Sequence, residues 1–268
     1  MLARAFLNKR PRDWELLSVA KDELDIADGD SVERAVAKFQ PQLIVNCAAY
    51  TRVDDCETNR DHAFLVNGVG AGNLAKAAHK SGACLVHFST DYIFAGGREQ
   101  PYEEDDPVAP INAYGASKWE GECQILGQLE DHLIIRTQWL YGHGGPHFVK
   151  AILNQVGKRD VIRVVDDQVG SPTWTEDLSE ATLMLLTRGA RGTYHLVNSG
   201  QCSWYTFACQ VMEESHLTTH VVPCTSAEYL RPATRPAYSV LSTAKAAQVM
   251  GGGLPSWQTA LHRFLRSV

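Results

Sequence analysis

Cys84-Leu-Val-His-Phe-Ser-Thr90 decides how the chain is read. This short, mostly apolar run has the character of a strand buried on both faces. Leu43-Ile-Val-Asn-Cys-Ala-Ala49 reads the same way. Between the two, Asp61 to Lys80 has helical periodicity, with Phe64, Leu65, Leu74 and Ala77 as inward positions and Gly82 just past its end. Downstream, Asn112 to Leu129 reads as a helix and His132 to Tyr141 as a strand. Upstream, Trp14 to Ala20 reads as a strand, and Ser31 to Phe39 as a helix ended by Pro41. Strands alternating with helices at this spacing predict an α/β fold with a doubly wound parallel sheet and helices on both faces.

After Gly142 the alternation loosens. Helices are expected over Phe148–Val156, Thr175–Leu186, Trp204–Glu214, Ser242–Met250 and Ser256–Leu265, and strands over Val161–Val165 and Thr193–Val197. This predicts a larger domain over residues 1–142 and a smaller lobe built mainly from residues 143–268, with some segments returning to the first. The basic, amphipathic stretch Met1–Arg10 has two readings, a targeting peptide or a first helix with Leu2, Phe6 and Leu7 on one face.

Composition narrows the function classes. The 268 residues are 44% hydrophobic and 21% charged, which suits a large core and excludes wholesale disorder. A net charge of −6 argues against a broad nucleic-acid-binding face. No apolar run is long enough to cross a bilayer. The seven cysteines are scattered, odd in number and without a C-x-x-C pair, which points to a reducing, cytoplasmic setting. His143 and His147 have ligand-like spacing, but Gly144, Gly145 and Pro146 make the segment a loop without an acidic third ligand, so no metal site is expected.

In open α/β sheets, ligands sit beyond the carboxyl ends of the strands. That directs attention to Ala48-Ala49-Tyr50-Thr51, Ser89-Thr90-Asp91 and Thr137-Gln138-Trp139. Tyr114-Gly-Ala-Ser-Lys118 places a phenol and an amine one helical turn apart on one face. An ammonium beside a phenol favours the phenolate and lowers its pKa toward neutrality, where it can exchange a proton. The pair alone is weak, since chance gives roughly 0.3 such pairs in a chain of this composition. Its position after a strand ending in a hydroxyl strengthens it, because Thr90 could polarise a carbonyl held over Tyr114.

At this point the chain resembles the extended short-chain dehydrogenase/reductases, and within them the bacterial dTDP-4-dehydrorhamnose reductases. The matching stretches are Leu43-Ile-Val-Asn-Cys-Ala-Ala-Tyr-Thr-Arg-Val-Asp54, Ser89-Thr-Asp-Tyr-Ile-Phe94, Pro110-Ile-Asn-Ala-Tyr-Gly-Ala-Ser-Lys118, Arg136-Thr-Gln-Trp139, Asp167-Gln-Val-Gly-Ser-Pro-Thr173 and Arg235-Pro236. The resemblance implies a Rossmann-like NAD(P)-binding domain with a C-terminal substrate lobe. It implies NADPH or NADH as cofactor, a dTDP-sugar as partner and a homodimer as an assembly to test. Tyr114 would protonate the developing alkoxide at C4. Lys118 would lower the Tyr114 pKa and hold the nicotinamide ribose, and Thr90 would hydrogen-bond the carbonyl. Asp91 and Trp139 would contact the sugar. The cofactor would run along Ala48, Ala49, Tyr50 and Ser89, with Asp25 and Ile26 at the adenine. Arg235 would meet the diphosphate, which its planar fork suits. Tyr92, where related dehydratases carry Glu, argues against dehydration.

The chain also departs from that pattern. The family opens with a strand and a G-x-x-G-x-x-G loop that cradles the cofactor pyrophosphate. Here Met1-Leu-Ala-Arg-Ala-Phe resembles the point where that loop enters its helix, with Ala3 at the last Gly. This favours the helical reading of the N-terminus over a targeting peptide. It also raises a rival reading, a non-catalytic binding subunit resembling the beta subunit of methionine adenosyltransferase. A reductase of another dTDP- or UDP-sugar is a third. Where NAD-users of this kind carry an acidic residue after the second strand, the neighbourhood here is Ala20-Lys21-Asp22, and Lys21 could favour the 2′-phosphate of NADPH.

Overall fold

Seven residues, Cys84 to Thr90, form a wholly buried inner strand of the central sheet. The structure is a computed structural model describing residues 1–267. Helices α1 (Leu2–Lys9) and α2 (Gly29–Phe39) precede β1 (Leu43–Asn46); α3 (Val53–Thr58), α4 (Arg60–Phe64) and α5 (Gly70–Ser81) precede β2 (Cys84–Thr90). Helix α6 (Ala113–Leu126) leads to β3 (His132–Thr137) and β4 (Leu140–Tyr141). Then come α7 (Phe148–Leu153), β5 (Val161–Val165), β6 (Val169–Gly170), β7 (Thr173–Trp174), α8 (Thr175–Thr187) and β8 (Gly192–His195). The chain closes with β9 (Cys202–Ser203), α9 (Trp204–Glu214), β10 (His220–Cys224), α10 (Ala244–Met250) and α11 (Trp257–Leu265).

The central sheet runs β1-β2-β3-β8, and every pair in it is parallel. Side chains alternate between its faces, as strand geometry requires. Leu85 and Ile134 join Val32 and Val36 of α2, Leu74 of α5 and Ile125 of α6 on one face. Val86, Phe88, Leu133 and Ile135 meet Phe6 of α1, Leu178 and Leu185 of α8 and Met250 of α10 on the other. The sheet is therefore doubly wound. His87 and Arg136 fall on the α6 side by the same alternation, which carries polar groups into the interior.

A separate hydrophobic cluster lies outside the central sheet. Tyr141, Ile152, Ile162, Val164, Phe207, Val211, Trp257, Leu261 and Phe264 pack around the parallel pair β5-β10. Strand β8 and helices α8 and α10 belong instead to the central sheet, although they lie late in sequence. Among the described residues, no helix is long and apolar enough to cross a membrane.

Several expectations need correction. Trp14 to Ala20 is not a strand: the segment is irregular, and Trp14, Leu16, Leu17 and Val19 stand 37–49% exposed. A strand needs a hydrogen-bonding neighbour, and this stretch joins none of the sheets. The strand expected to be buried over Leu43–Ala49 ends at Asn46, and Leu43, Ile44 and Val45 are only half-buried because β1 is the sheet's edge. The Asp61–Lys80 helix runs from Arg60 to Ser81 but passes through a π-helical turn at Leu65–Val69. The His132–Tyr141 strand breaks after Thr137, where Trp139 takes φ +48°. The N-terminus is a helix; Phe6 packs on Phe88 at 5.6 Å between ring centroids, and Leu2 lies against the same cluster.

Candidate active site

Helix α6 carries Tyr114 and Lys118, and its first turn is fixed from three directions. Asn112 caps it by accepting from Gly115 N–H at 2.8 Å. Glu57 of α3 accepts from Ala113 N–H at 2.7 Å. Asn112 also donates to the Thr234 carbonyl at 2.8 Å, tying in the segment that bears Arg235. Gly115 permits close docking: a Cβ there would lie 2.0 Å from the Tyr92 carbonyl oxygen.

This docking sets Tyr114 beside the end of β2. Its ring meets Tyr92 edge-on at 5.8 Å. Enclosure of its phenol, then the nearby Asp91 carboxyl, pushes its pKa up, against a hydrogen bond with Thr90 that pulls it down. Thr90 Oγ1 also donates to Asp91 Oδ1 at 3.0 Å and accepts from Tyr92 N–H at 3.2 Å. Asp91 is buried, and burial raises its carboxyl to about 7 against hydrogen bonds from Ser239 and Thr90. Its Oδ2 and the Ser89 hydroxyl oxygen are buried without a partner. Such orphans are rare and mark groups awaiting a ligand or water.

The expected lowering of the Tyr114 pKa by Lys118 is not found. Lys118 turns away toward β2, where its Nζ lies 3.1 Å from His87 Nε2. It is fully enclosed, and burial brings it down to about 8 against the charge of Glu122 one turn on. Glu122 is itself taken by Arg136 of β3 at 2.8 Å, and Arg136 Nη1 donates to the Glu104 carbonyl.

The turn after β1 is held by asparagines. Asn46 Oδ1 accepts from Ala48 N–H at 3.0 Å. Asn67, in the π-helical turn, accepts from Tyr50 N–H at 2.8 Å, donates to the Tyr50 carbonyl at 3.0 Å and donates to Ser117 Oγ at 2.9 Å. Ala48, Ala49 and Tyr50 thus sit at the carboxyl end of β1, near α6. Asp25 is exposed and accepts from Ala27 N–H. Ile26 is a core residue under α5, with its carbonyl held by Asn73 at 2.9 Å. Lys21 is exposed.

The remaining expected residues come from other elements. Trp139 stacks on Trp204 of α9, with centroids 3.5 Å apart and planes 11° apart. Its backbone is anchored by buried Gln138, which donates to the Ser239 carbonyl and accepts from Ser171 N–H. Arg235 donates to Asp54 Oδ1 at 2.7 Å, which holds that carboxyl below its usual range. Arg231 adds a 3.4 Å contact to Asp54. Sequence reasoning missed His87, Asn46, Asn67 and Trp204 as parts of this site. The signal available for His87 and Asn46 was a polar residue inside each of two apolar runs.

Among the described residues, no group of three His, Cys, Asp or Glu side chains is placed to hold a metal. His147 instead caps α7 by accepting from Lys150 N–H, and His143 contacts Ser267. A surface depression of about 370 Å³, lined by Lys158, Arg159 and Thr218 among others, includes no residue of the Thr90–Tyr114 group.

A parallel, doubly wound sheet with a tyrosine and lysine one turn apart beside the carboxyl end of an inner strand defines a Rossmann-type oxidoreductase of the short-chain class. The comparisons carry this one step further. The family described as RmlD substrate binding domain matches residues 2–268, and the chain belongs to it. It is 46% identical over 253 residues to the spore coat polysaccharide biosynthesis protein SpsK of Bacillus subtilis (strain 168), covering 94% of this chain and 89% of that protein. It is 40% identical over 257 residues to the dTDP-4-dehydrorhamnose reductase of Streptomyces griseus, covering 93% and 84% respectively. Among solved structures, the dTDP-4-dehydrorhamnose reductase of Bacillus anthracis str. Ames in complex with NADP superposes with TM-score 0.97 at 38% identity. That match covers 100% of this chain and 95% of the other.

Proposed function

We propose that the chain reduces the C4 ketone of dTDP-4-dehydro-L-rhamnose to the alcohol, with NADPH as reductant and Tyr114 as proton donor. The observation that carries this reading is the Tyr114 phenol beside Thr90 at the end of β2, within a fold whose relatives are dTDP-4-dehydrorhamnose reductases. Bound NADPH supplies the hydride. The residues present suit such a ligand: Ser89 offers a buried, unpartnered hydroxyl, and the turn at Ala48, Ala49 and Tyr50 is fixed by Asn46 and Asn67 at the strand's carboxyl end.

The chain's own groups handle the proton. Thr90 turns its one hydroxyl proton from Asp91 to the carbonyl oxygen, and that bond strengthens as negative charge develops. Tyr114, protonated at rest because its phenol is enclosed, transfers its proton to that oxygen and is left as phenolate. The O–H bond of Tyr114 breaks as the substrate O–H bond forms. Lys118 is the group for the ribose hydroxyls. Asp91, Trp139 and Arg235 form the nucleotide-sugar side, where Arg235 exchanges Asp54 for a phosphate oxygen. The free cysteines suit a reducing cytoplasm.

The first test is titration of the chain with NADPH, followed by fluorescence, in the absence of sugar. Saturable micromolar binding is expected, and no binding would defeat the reading. The second is NADPH consumption with dTDP-4-dehydro-L-rhamnose in Tyr114→Phe. Turnover should fall by about a hundredfold or more while the fold persists. Unchanged turnover would remove Tyr114 as the acid.

A further inference from the structure

Asp91, Tyr92 and Tyr114 all meet one hydroxyl oxygen at the end of β2. Thr90 Oγ1 carries one proton and two lone pairs. Tyr92 N–H, which can only donate, fills one lone pair at 3.2 Å. One proton and one lone pair remain, and two groups meet them: Asp91 Oδ1 at 3.0 Å and the Tyr114 phenol. As a carboxylate, Asp91 can only accept, so it takes the Thr90 proton. The remaining lone pair then takes the Tyr114 O–H, and both hydroxyl protons point inward. As a carboxylic acid, Asp91 can instead donate to Thr90. Its Oδ2 has no partner, so the acid proton finds an acceptor on the Oδ1 side, at Thr90. Both lone pairs of Thr90 are then filled. Its own proton is released, Tyr114 O–H loses its acceptor, and both are free to meet a single carbonyl oxygen.

We propose that Asp91 is a positioning residue that, by donating to Thr90 as an acid and accepting from it as a carboxylate, sets whether the Thr90 and Tyr114 hydroxyls can both turn to the substrate carbonyl. Asp91 is 2% exposed and burial raises it to about 7, so both forms occur near neutrality. The surrounding groups leave that titration to Asp91. The Tyr92 and Tyr114 phenols are pushed up by burial and by Asp91 itself. Arg235, which faces Tyr92, is paired with Asp54. Lys118 of α6 lies against His87. Ser239 and, from β3, Thr137 and Gln138 carry no charge. Asp91 keeps its own proton through the reaction, and the proton delivered to the substrate is that of Tyr114. Reduction therefore requires the acid form of Asp91, and turnover falls as pH rises through its midpoint. This consequence rests on the reading of Thr90 and Tyr114 given above, while the reversal of the hydrogen bonds stands apart from it.

The test is carbon-13 NMR of the chain without cofactor or sugar, labelled at aspartate Cγ and tyrosine Cζ. Asp91→Asn and Tyr114→Phe assign the two signals. Asp91 should titrate at about 7, and the Tyr114 signal should step at the same midpoint as its O–H gains or loses Thr90. A flat Tyr114 signal, or an Asp91 midpoint at the ordinary value of about 4, would overturn the proposal. Thr90→Val removes the bridge and should abolish the Tyr114 step. A step of undiminished size would mean that the carboxylate acts on the phenol through space, and would overturn it as well. In NADPH consumption with dTDP-4-dehydro-L-rhamnose, turnover should fall about tenfold per pH unit above the Asp91 midpoint. Asp91→Asn, whatever its absolute rate, should lose that limb because its amide cannot ionise, and a limb kept in that variant would defeat the proposal. The expected NMR steps in a chain that consumes no NADPH would count against the reductase reading alone, so the two failures are distinguishable.

Discussion

Asp91 carries the clearest pH dependence at the level of single residues. An unfolded aspartate ionises near 3.8, whereas in the fold burial raises this one to about 7. Between those values the native state holds a proton that the unfolded chain has lost, so stability falls as pH rises from about 4 to 7. The Asp91→Asn variant should match the parent below pH 4 and exceed it above pH 7, by on the order of 4 kcal/mol at most. Urea unfolding across that range would measure the difference, and parallel curves would refute the assignment. His195 acts with the opposite sign. Burial, then Arg136, lowers it from 6.5 to about 3, so the unfolded chain gains a proton first as pH falls. Its contribution is present above about pH 6.5 and is lost toward pH 3. His195→Gln should flatten the acid limb of the stability profile.

Helix α6 is the element on which the site depends, and glycines set its depth. A Cβ at Gly121 would lie 2.3 Å from the Asn67 carbonyl oxygen. Gly121→Ala should cost about 1–3 kcal/mol in urea unfolding, because backbone must move. Turnover should fall further than the lost stability explains, since the same helix carries Tyr114. The buried Glu122–Arg136 pair joins α6 to β3. Glu122→Ala should destabilise by about 3–5 kcal/mol, because Arg136 stays charged and buried. Much of this element was legible beforehand: a helix was expected from Asn112 onward, and Tyr114 and Lys118 share a face by spacing alone. Their neighbours were not. Asn46 faces His87 only through strand register, and Lys118 meets His87 only through the packing of α6 on β2. Helical spacing predicted that Lys118 would act on Tyr114, but it says nothing of His87, which lies 3.1 Å from Lys118 Nζ across the interface. Trp14–Ala20 failed for a related reason, since strand character in a sequence describes a residue set and not the presence of a neighbour.

Across the whole molecule, order is expected to be graded from the inner strands outward. β2 and β3 are fully buried, while β1 is a half-buried edge and residues Trp14–Ala20 are unpaired. Hydrogen exchange should therefore be slowest in β2 and β3 and fast throughout Trp14–Ala20. Equal protection in that segment would contradict the edge assignment. The Trp139–Trp204 stack also belongs to this scale, because Trp139 follows β3 of the central sheet and Trp204 opens α9 of the hydrophobic cluster outside it. Two indoles face to face at 3.5 Å couple their electronic transitions. The molecule should thus carry a built-in optical gauge, a paired band of opposite signs in its circular dichroism. The band's amplitude would register any sliding of that cluster past the sheet, or the entry of a sugar between them, with no label attached.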